Sequence, residues 1–272
     1  MTARKATGRL ILMPNTLDLG TTGGQPPAPL GQVLPALAIH TAAALRHWVV
    51  ENAKSARAFL KRVEAEAPLA APLQQLDIRE LPRPPKGGHS GGPSGGHPGG
   101  KPATPPAEVL RPLLQPAFDG HDIGLLSEAG LPAVADPGAQ LVRAAHAAGI
   151  AVLPISGPSS LMLALAASGL NGQSFAFVGY LPQEKAERAQ RLRELEAASR
   201  RAAQTQLVIE TPYRNAALLD ALLAGLSPAT QLSVSLGLTL PGGFTRTDSI
   251  ADWRRQPAEL PLDVPAVFAF LA

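Results

Sequence analysis

Short apolar runs, each closed by proline, glycine or asparagine and followed by a stretch of helical periodicity, recur along this chain and point to layered α/β architecture. Residues 9–14 (RLILMP) read as a strand stopped by its proline, with a glycine- and proline-rich loop at 20–29. Helical spacing at 32–45, a strand at 47–51 and an amphipathic helix at 54–67 follow. In that last helix Phe59, Leu60 and Val63 share one side, and Lys61, Arg62 and Glu66 lie elsewhere. A helix at 107–118 leads to a strand at 123–127 and a turn through residue 135. The next helix, 137–148, has Asp136 as its expected N-cap, Pro137 at the first helical position and Gly149 as its stop. A strand at 150–155 and an apolar helix at 160–167 complete this half. Beyond it the pattern predicts strands at 174–181, 206–210, 231–239, 244–248 and 264–271. Helices are expected at 184–202 and from Thr211-Pro212 to residue 226.

One stretch breaks the alternation. Residues 82–106 hold 8 prolines and 8 glycines and almost nothing apolar, so they cannot bury enough surface to offset ordering entropy and are expected to be a disordered loop. Its His89 and His97 make a poor metal site on so loose a tether. The expected division is an N-terminal α/β domain at 1–157 containing that loop, a connecting helix at 158–172 and a C-terminal α/β domain at 173–272. A 45% apolar content supports two cores, and with only 4% aromatic residues they must be filled by Leu, Val and Ala.

Charge and cysteine usage narrow the chemistry. Residues 1–118 carry 13 Lys/Arg against 7 Asp/Glu, and the remainder carries 11 against 14; a mildly basic first half is compatible with an anionic partner. With no cysteine, disulfides, thiolate nucleophiles and Cys-ligated metals are excluded. No apolar run reaches the roughly 18–20 residues a membrane span needs, and the first nine residues lack the apolar stretch of a signal peptide; the expectation is a cytoplasmic protein without membrane contact.

Four informative turns lie just past predicted strands: Pro14-Asn15-Thr16, Glu51-Asn52, 127–132 and 156–160. In open α/β sheets ligands bind at that edge, where glycine admits close approach and helix N-termini offer free N–H groups. The pattern predicts a nucleotide-like or carboxylate-bearing ligand. There is no G-x-G-x-x-G after a strand, no G-x-x-x-x-G-K-[ST], no G-x-S-x-G and no H-E-x-x-H, which argues against ordinary dinucleotide, P-loop, hydrolase and zincin chemistry.

The segment GLLSEAGLPAVADPG at 124–138, with VLPISGPSSLMLAL at 152–165 and FAFVGYLP at 175–182, resembles the tetrapyrrole methylase family. Within it the chain is most similar to the branch that methylates RNA of the small ribosomal subunit; Glu210-Thr211-Pro212-Tyr213-Arg214 resembles that branch's Glu-Ser-Pro-His-Arg. The resemblance implies two α/β domains with the active site in the cleft between them, S-adenosylmethionine as methyl donor, in-line transfer to a ribose 2′-hydroxyl of ribosomal RNA, and a homodimer. It places donor contacts on Ser127, Ala129, Gly130 and Pro132, sets Ser159 and Ser160 beside the methionine portion, and has Leu12 and Pro14 border the site. Tyr180, Leu181, Thr211, Pro265 and Ala266 would enclose the adenine. No metal is implied.

The acceptor side departs from the branch. Its Glu-Asp-Thr-Arg becomes Glu51-Asn52-Ala53-Lys54, its Leu-Pro-Arg-Lys becomes Leu181-Pro182-Gln183-Glu184, and its Arg-Glu-Leu-Thr-Lys becomes Leu236-Gly237-Leu238-Thr239-Leu240. Candidates for acceptor chemistry are Glu51, Lys54 and Arg214, with Arg57 and Lys185 beside them. Alternative readings are a small-molecule or tetrapyrrole acceptor, or a donor-binding protein without catalysis.

Overall fold

The computed structural model describes residues 7–18, 27–82, 107–256 and 258–272. The proline- and glycine-rich stretch beyond Pro82, with His89 and His97, lies outside them, as do residues 20–26 of the first expected loop. The described residues fall into two compact units, one ending at Ser159 and one running from Ser160 to Ala272.

In the first unit β1 (Leu10–Met13), β2 (His47–Val50), β3 (Asp77–Glu80), β4 (Ile123–Leu126) and β5 (Val152–Pro154) form one sheet in the order β3-β2-β4-β1-β5. Every pairing is parallel, so each connection must cross back over the sheet. The helices are α1 (Ala36–Ala44), α2 (Ala53–Glu64), the short α3 (Ala107–Leu110) and α4 (Gln115–Phe118), and α5 (Ala139–Ala147). Strand alternation divides the core between the two faces. Trp48 and Val50 of β2 pack with Phe59, Leu60 and Val63 of α2 on one side, while Val49 joins Leu125 and Leu141 on the other. Trp48 packs against β4: a Cβ at Gly124 would stand 2.7 Å from its ring. The helix expected at 107–118 is broken into two short pieces by a 3-10 turn over Arg111–Leu114, with Pro112 and Pro116 at the entries to the second and third segments, where they remove backbone donors. The polar strand β3 (DIRE) was not expected from the sequence; it is an edge strand whose last two residues are exposed.

The second unit is a mixed sheet. Strands β6 (Phe175–Gly179), β7 (Thr205–Ile209), β8 (Gln231–Leu236), β9 (Phe244–Ser249) and β10 (Ala266–Leu271) stand in the order β6-β7-β10-β8-β9. Only β6 and β7 run parallel, with a register shift between Phe177 and Gly179; the other three pairings are antiparallel. Helices α7 (Lys185–Ala202), α8 (Asn215–Gly225) and α9 (Ile250–Arg255), the last unexpected, cover one face. There Phe268 and Phe270 of β10 meet Leu192, Leu222 and Trp253. Helix α6 (Ser160–Ser168) covers the other face, with Leu161, Ala164 and Leu165 against Val267 and Ala269. The stretch expected as a connecting helix, 158–172, thus contains a helix that packs on the second sheet. A buried carboxylate, Glu196, fastens α7 to the turn before β8. Burial alone would push it up, but the Thr230 hydroxyl at 2.6 Å and the Ser227 N–H at 2.7 Å hold it below the usual glutamate range.

Candidate functional site

Met13, Leu126 and Val50 stand in one row across β1, β4 and β2, so Pro14, Ser127 and Glu51 leave the sheet at the same edge. The chain leaves β1 toward β2 and leaves β4 toward β5, and the winding direction reverses between β1 and β4. Such a reversal opens a crevice at the carboxyl ends of the strands. Buried Asn15 stitches its two walls together. Its backbone N–H donates to the Gly130 carbonyl at 2.8 Å, and Nδ2 donates to the carbonyls of Ser127 and Glu128, both at 3.0 Å. Its Oδ1 accepts from the Thr16 N–H at 2.8 Å. Gly130 has φ +61, in the left-handed region where a side chain would be strained. The loop after β5 lies on Pro14: a Cβ at Gly157 would stand 2.1 Å from Pro14 Cβ, so only glycine permits the contact.

The loop after β1 is braced from α2. Arg62 donates to Asp18 Oδ2 at 3.0 Å and to Thr16 Oγ1 at 3.2 Å, and Thr16 Oγ1 donates to Asp18 Oδ1 at 2.9 Å. The sequence placed Arg62 only off the helix's apolar side; here it orders a ligand-edge loop.

Three carboxylates gather on this edge. Glu51 Oε2 accepts from the Glu128 N–H at 3.3 Å. Asp136 is pushed up to about 7, first by burial, then by the charges of Glu51 and Glu128, with a hydrogen bond from Ser127 opposing the rise. Here the sequence expectation needs correction. Helix α5 begins at Ala139 with Gly138 as its cap, at φ 129 and without a side-chain cap bond. Ala133, Ala135 and Gly138 all adopt positive φ, and the resulting loop leaves Asp136 outside the helix. It does not cap; it faces the carboxylate edge. Gly149, at φ +70, does follow the helix end as expected.

Of the other residues predicted on this unit, Ser127 is buried and donates to the Ala129 carbonyl at 3.1 Å. Leu12 and Ala129 are partly buried, Pro14 and Pro132 are buried, and Ser159 lies in the loop after β5. The N-cap of α2 is Asn52, whose Oδ1 accepts from the N–H groups of Lys54 and Ser55. Lys54 lies in the first turn of the helix with its side chain exposed, and Arg57 folds back on the Ala53 carbonyl at 3.3 Å.

The second unit gathers its predicted residues on an edge of its own. β6 and β7 end there and β10 begins there, with Gly179 opposite Val208 and Val267 opposite Ile209. Tyr180, Thr211 and Pro265 follow or precede those positions. The N–H and hydroxyl of Thr211 donate to Glu210 Oε1 at 2.8 and 3.2 Å, and Glu210 Oε2 pairs with Arg214 at 3.3 Å. The Pro265 carbonyl accepts from the Gly237 N–H at 2.9 Å. Leu181 and Ala266 are core side chains, which leaves only their backbone for a ligand. Ser160 opens α6, and Lys185 is exposed at the start of α7. Sequence reasoning assigned no individual role to Asn15, Asp18, Arg62 or Glu128 and made Asp136 a helix cap. Asn15 and Glu128 were legible as members of turns on the ligand edge; the others depend on how loops return over helices. Among the described residues no group of three His, Cys, Asp or Glu side chains could hold a metal, and no helix is long and apolar enough to cross a membrane.

Comparison with known proteins adds the following. The model for the Tetrapyrrole (Corrin/Porphyrin) Methylases matches residues 96–247. A protein of Halalkalibacterium halodurans, named ribosomal RNA small subunit methyltransferase I, is 41% identical over 111 residues, covering 41% of this chain and 37% of that relative. A protein of the same name from Mesorhizobium japonicum is 39% identical over 131 residues, covering 48% of this chain and 43% of the relative. The match thus spans less than half the length of these curated relatives. Among solved structures the fold is similar to that of the methyltransferase CobJ, with TM-score 0.53 and 14% identity over 97% of this chain and 94% of that one.

Proposed function

Because the chain belongs to the tetrapyrrole (corrin/porphyrin) methylase family, we propose that it transfers the methyl group of S-adenosylmethionine to a ribose 2′-hydroxyl in RNA of the small ribosomal subunit. The observation that carries the donor half is the meeting of three glycine- and proline-bearing loops where the first sheet reverses its winding. Gly157 lies so close to Pro14 there that no side chain fits, and Gly130 holds a left-handed φ, which suits an extended ligand laid along main chain. The chemistry of the edge also suits this donor: Glu51, Glu128 and Asp136 favour a ligand that carries positive charge. Ser127, Ala129, Gly130, Pro132 and Ser159 would hold it, with Leu12 and Pro14 at its border. On the second unit Ser160, Tyr180, Thr211, Pro265 and the backbone of Leu181 and Ala266 are the proposed contacts. The names of the relatives support the RNA acceptor.

When bound, S-adenosylmethionine supplies a methyl group already made electrophilic by its sulfonium. The protein's share is to orient the acceptor and take its proton as the new O–C bond forms and the S–C bond breaks. Glu51, at the carboxyl end of β2, is the proposed proton acceptor. Lys54 and Arg214 would meet phosphate, Arg214 from its ion pair with Glu210. We read the protein as a cytoplasmic homodimer, a state that sedimentation at micromolar concentration tests. Calorimetry with S-adenosylmethionine tests the donor: no binding below millimolar concentration would sink the proposal. Labelled donor is then incubated with small subunits from cells lacking the gene. Label should enter the RNA, and Glu51→Gln should lower kcat at saturating donor at least tenfold, an effect separate from any weakening of donor affinity. Donor binding without label in the RNA would move the acceptor to a small molecule.

A further inference from the structure

We propose that Tyr213 is a stacking platform for an unpaired base of the RNA acceptor, held out on a rigid turn at the ligand edge of the second sheet beside Arg214; this rests on the RNA reading above. Everything around this ring is tied down. On one side Thr211 is buried and bound through N–H and hydroxyl to Glu210, and Pro212 fixes its own φ. On the other, the Arg214 N–H donates to the Thr211 carbonyl at 2.8 Å and its guanidinium pairs with Glu210. Asn215 is completely buried and donates through Nδ2 to the Val264 carbonyl at 3.0 Å. Residues 211, 212, 214 and 215 thus serve the turn, whereas the side chain of Tyr213 is 64% exposed. Phe175 and Phe244, the other exposed aromatics among the described residues, reach only 39%, and Trp48 and Trp253 are buried.

A tyrosine presented this way contributes little to the core. Its flat face suits a base, because stacking buries a large area while freezing only two side-chain torsions. Unpaired RNA bases can be splayed onto aromatic faces in this manner, and stacking tolerates any base identity. Cations that could meet a phosphate chain stand nearby. Arg214 adjoins the ring. On the neighbouring loop Arg188 braces the carbonyls of Pro182 and Gln183, and Lys185 stands exposed. Glu210, on the same turn, is occupied by Arg214 and Thr211, while Glu184, beside Lys185, caps α7 through the Glu187 N–H.

The test compares full-length wild type, Tyr213→Ala and Tyr213→Phe in methyl transfer to unmethylated small subunits, with donor affinity measured by calorimetry. Tyr213→Ala should raise KM for the subunit about 5- to 100-fold, leaving kcat, donor Kd and melting temperature near wild type. Tyr213→Phe, which keeps the ring, should restore KM to within about twofold. In Tyr213→Trp the new indole fluorescence should be quenched when a short single-stranded RNA of mixed sequence is added. An unchanged KM in the alanine variant overturns the inference. So does a donor Kd that weakens in step with KM, which would place the ring on the donor, or a phenylalanine variant as impaired as alanine, which would point to the hydroxyl. If wild type itself labels no subunit RNA, the RNA reading fails, visibly and before any variant is compared, and this inference falls with it.

Discussion

The two sheets each assemble a ligand edge, by different routes. In the first, all strands run the same way, so every strand delivers its following loop to one side, and Pro14, Glu51, Ser127 and Ile155 emerge together. In the second, β6, β7 and β8 end at the edge in question, and β9 and β10 run the other way and contribute the residues that precede them. The parallel edge is crowded with loops and carries mutually repelling carboxylates. On the mixed edge the carboxylate Glu210 is already paired with Arg214. Strand direction, more than strand content, decides how much chemistry a sheet edge can collect.

The largest effect that separates the two regions should come from the mixed sheet's core. Phe268→Ala removes a fully buried ring between helices α7–α9 and β10 and should cost about 3–5 kcal/mol in urea denaturation, yet leave the first edge's chemistry intact in whatever fraction remains folded. Next, Gly157→Ala forces a methyl into Pro14, whose ring cannot swing aside. About 1–3 kcal/mol of stability should be lost, with donor affinity at least tenfold weaker by calorimetry. Gly172→Ala, on the second unit with nothing within 4 Å, should change stability by under about 0.5 kcal/mol. If both glycines tolerate alanine equally, the crowding assigned to the parallel edge is wrong.

How much of this was readable in advance follows the same division. The strands of the parallel sheet end at Pro14, Glu51 and Ser127, where the sequence turns from aliphatic to polar or proline, so the edge itself was legible. Asp136 was not. Asp-Pro before an apolar periodic run normally reads as cap and first helical residue, but here the left-handed Ala133 and Ala135 carry the chain through a loop that no local preference of alanine suggests. The brace from Arg62 depends on the return of residues 14–18 over α2, a tertiary event. On the second unit the positions of the strands were legible but not their directions. The grouping of Pro265 with Thr211 therefore came from the family resemblance alone.

Asp136 gives the third test. Its carboxyl is raised from 3.8 to about 7 in the folded protein, by burial and by Glu51, so the native state holds this proton more tightly than the unfolded chain. The stability it contributes is full below about pH 4 and is lost as pH rises to about 7. Asp136→Asn should flatten the stability–pH profile across that window by about 2 kcal/mol, with solvent screening keeping the effect below the full linkage value. An unchanged slope would show that burial and the neighbouring carboxylates do not raise the Asp136 carboxyl. Apart from the Gly172 control, the smallest effect is expected at Asn52. Asn52→Ala removes the cap of α2 and should cost about 1 kcal/mol by the same denaturation assay, with donor affinity within about twofold of wild type. A larger loss of binding would make the cap part of the site.

The register shift in β6 has a consequence for how the chain behaves in concentrated solution. β6 is an outermost strand of apolar sequence (FAFVG), whereas the strand at the opposite margin, β9, carries Arg246 and Asp248. Bare apolar margins invite copies of a protein to add strand to strand, and charges or irregular pairing discourage it. By bending the ladder after Phe177, the irregularity at Gly179 leaves an incoming strand only a short straight run to match. Precipitation on storage should therefore begin along residues 175–177, and a lysine at Ala176 is the substitution that would suppress it.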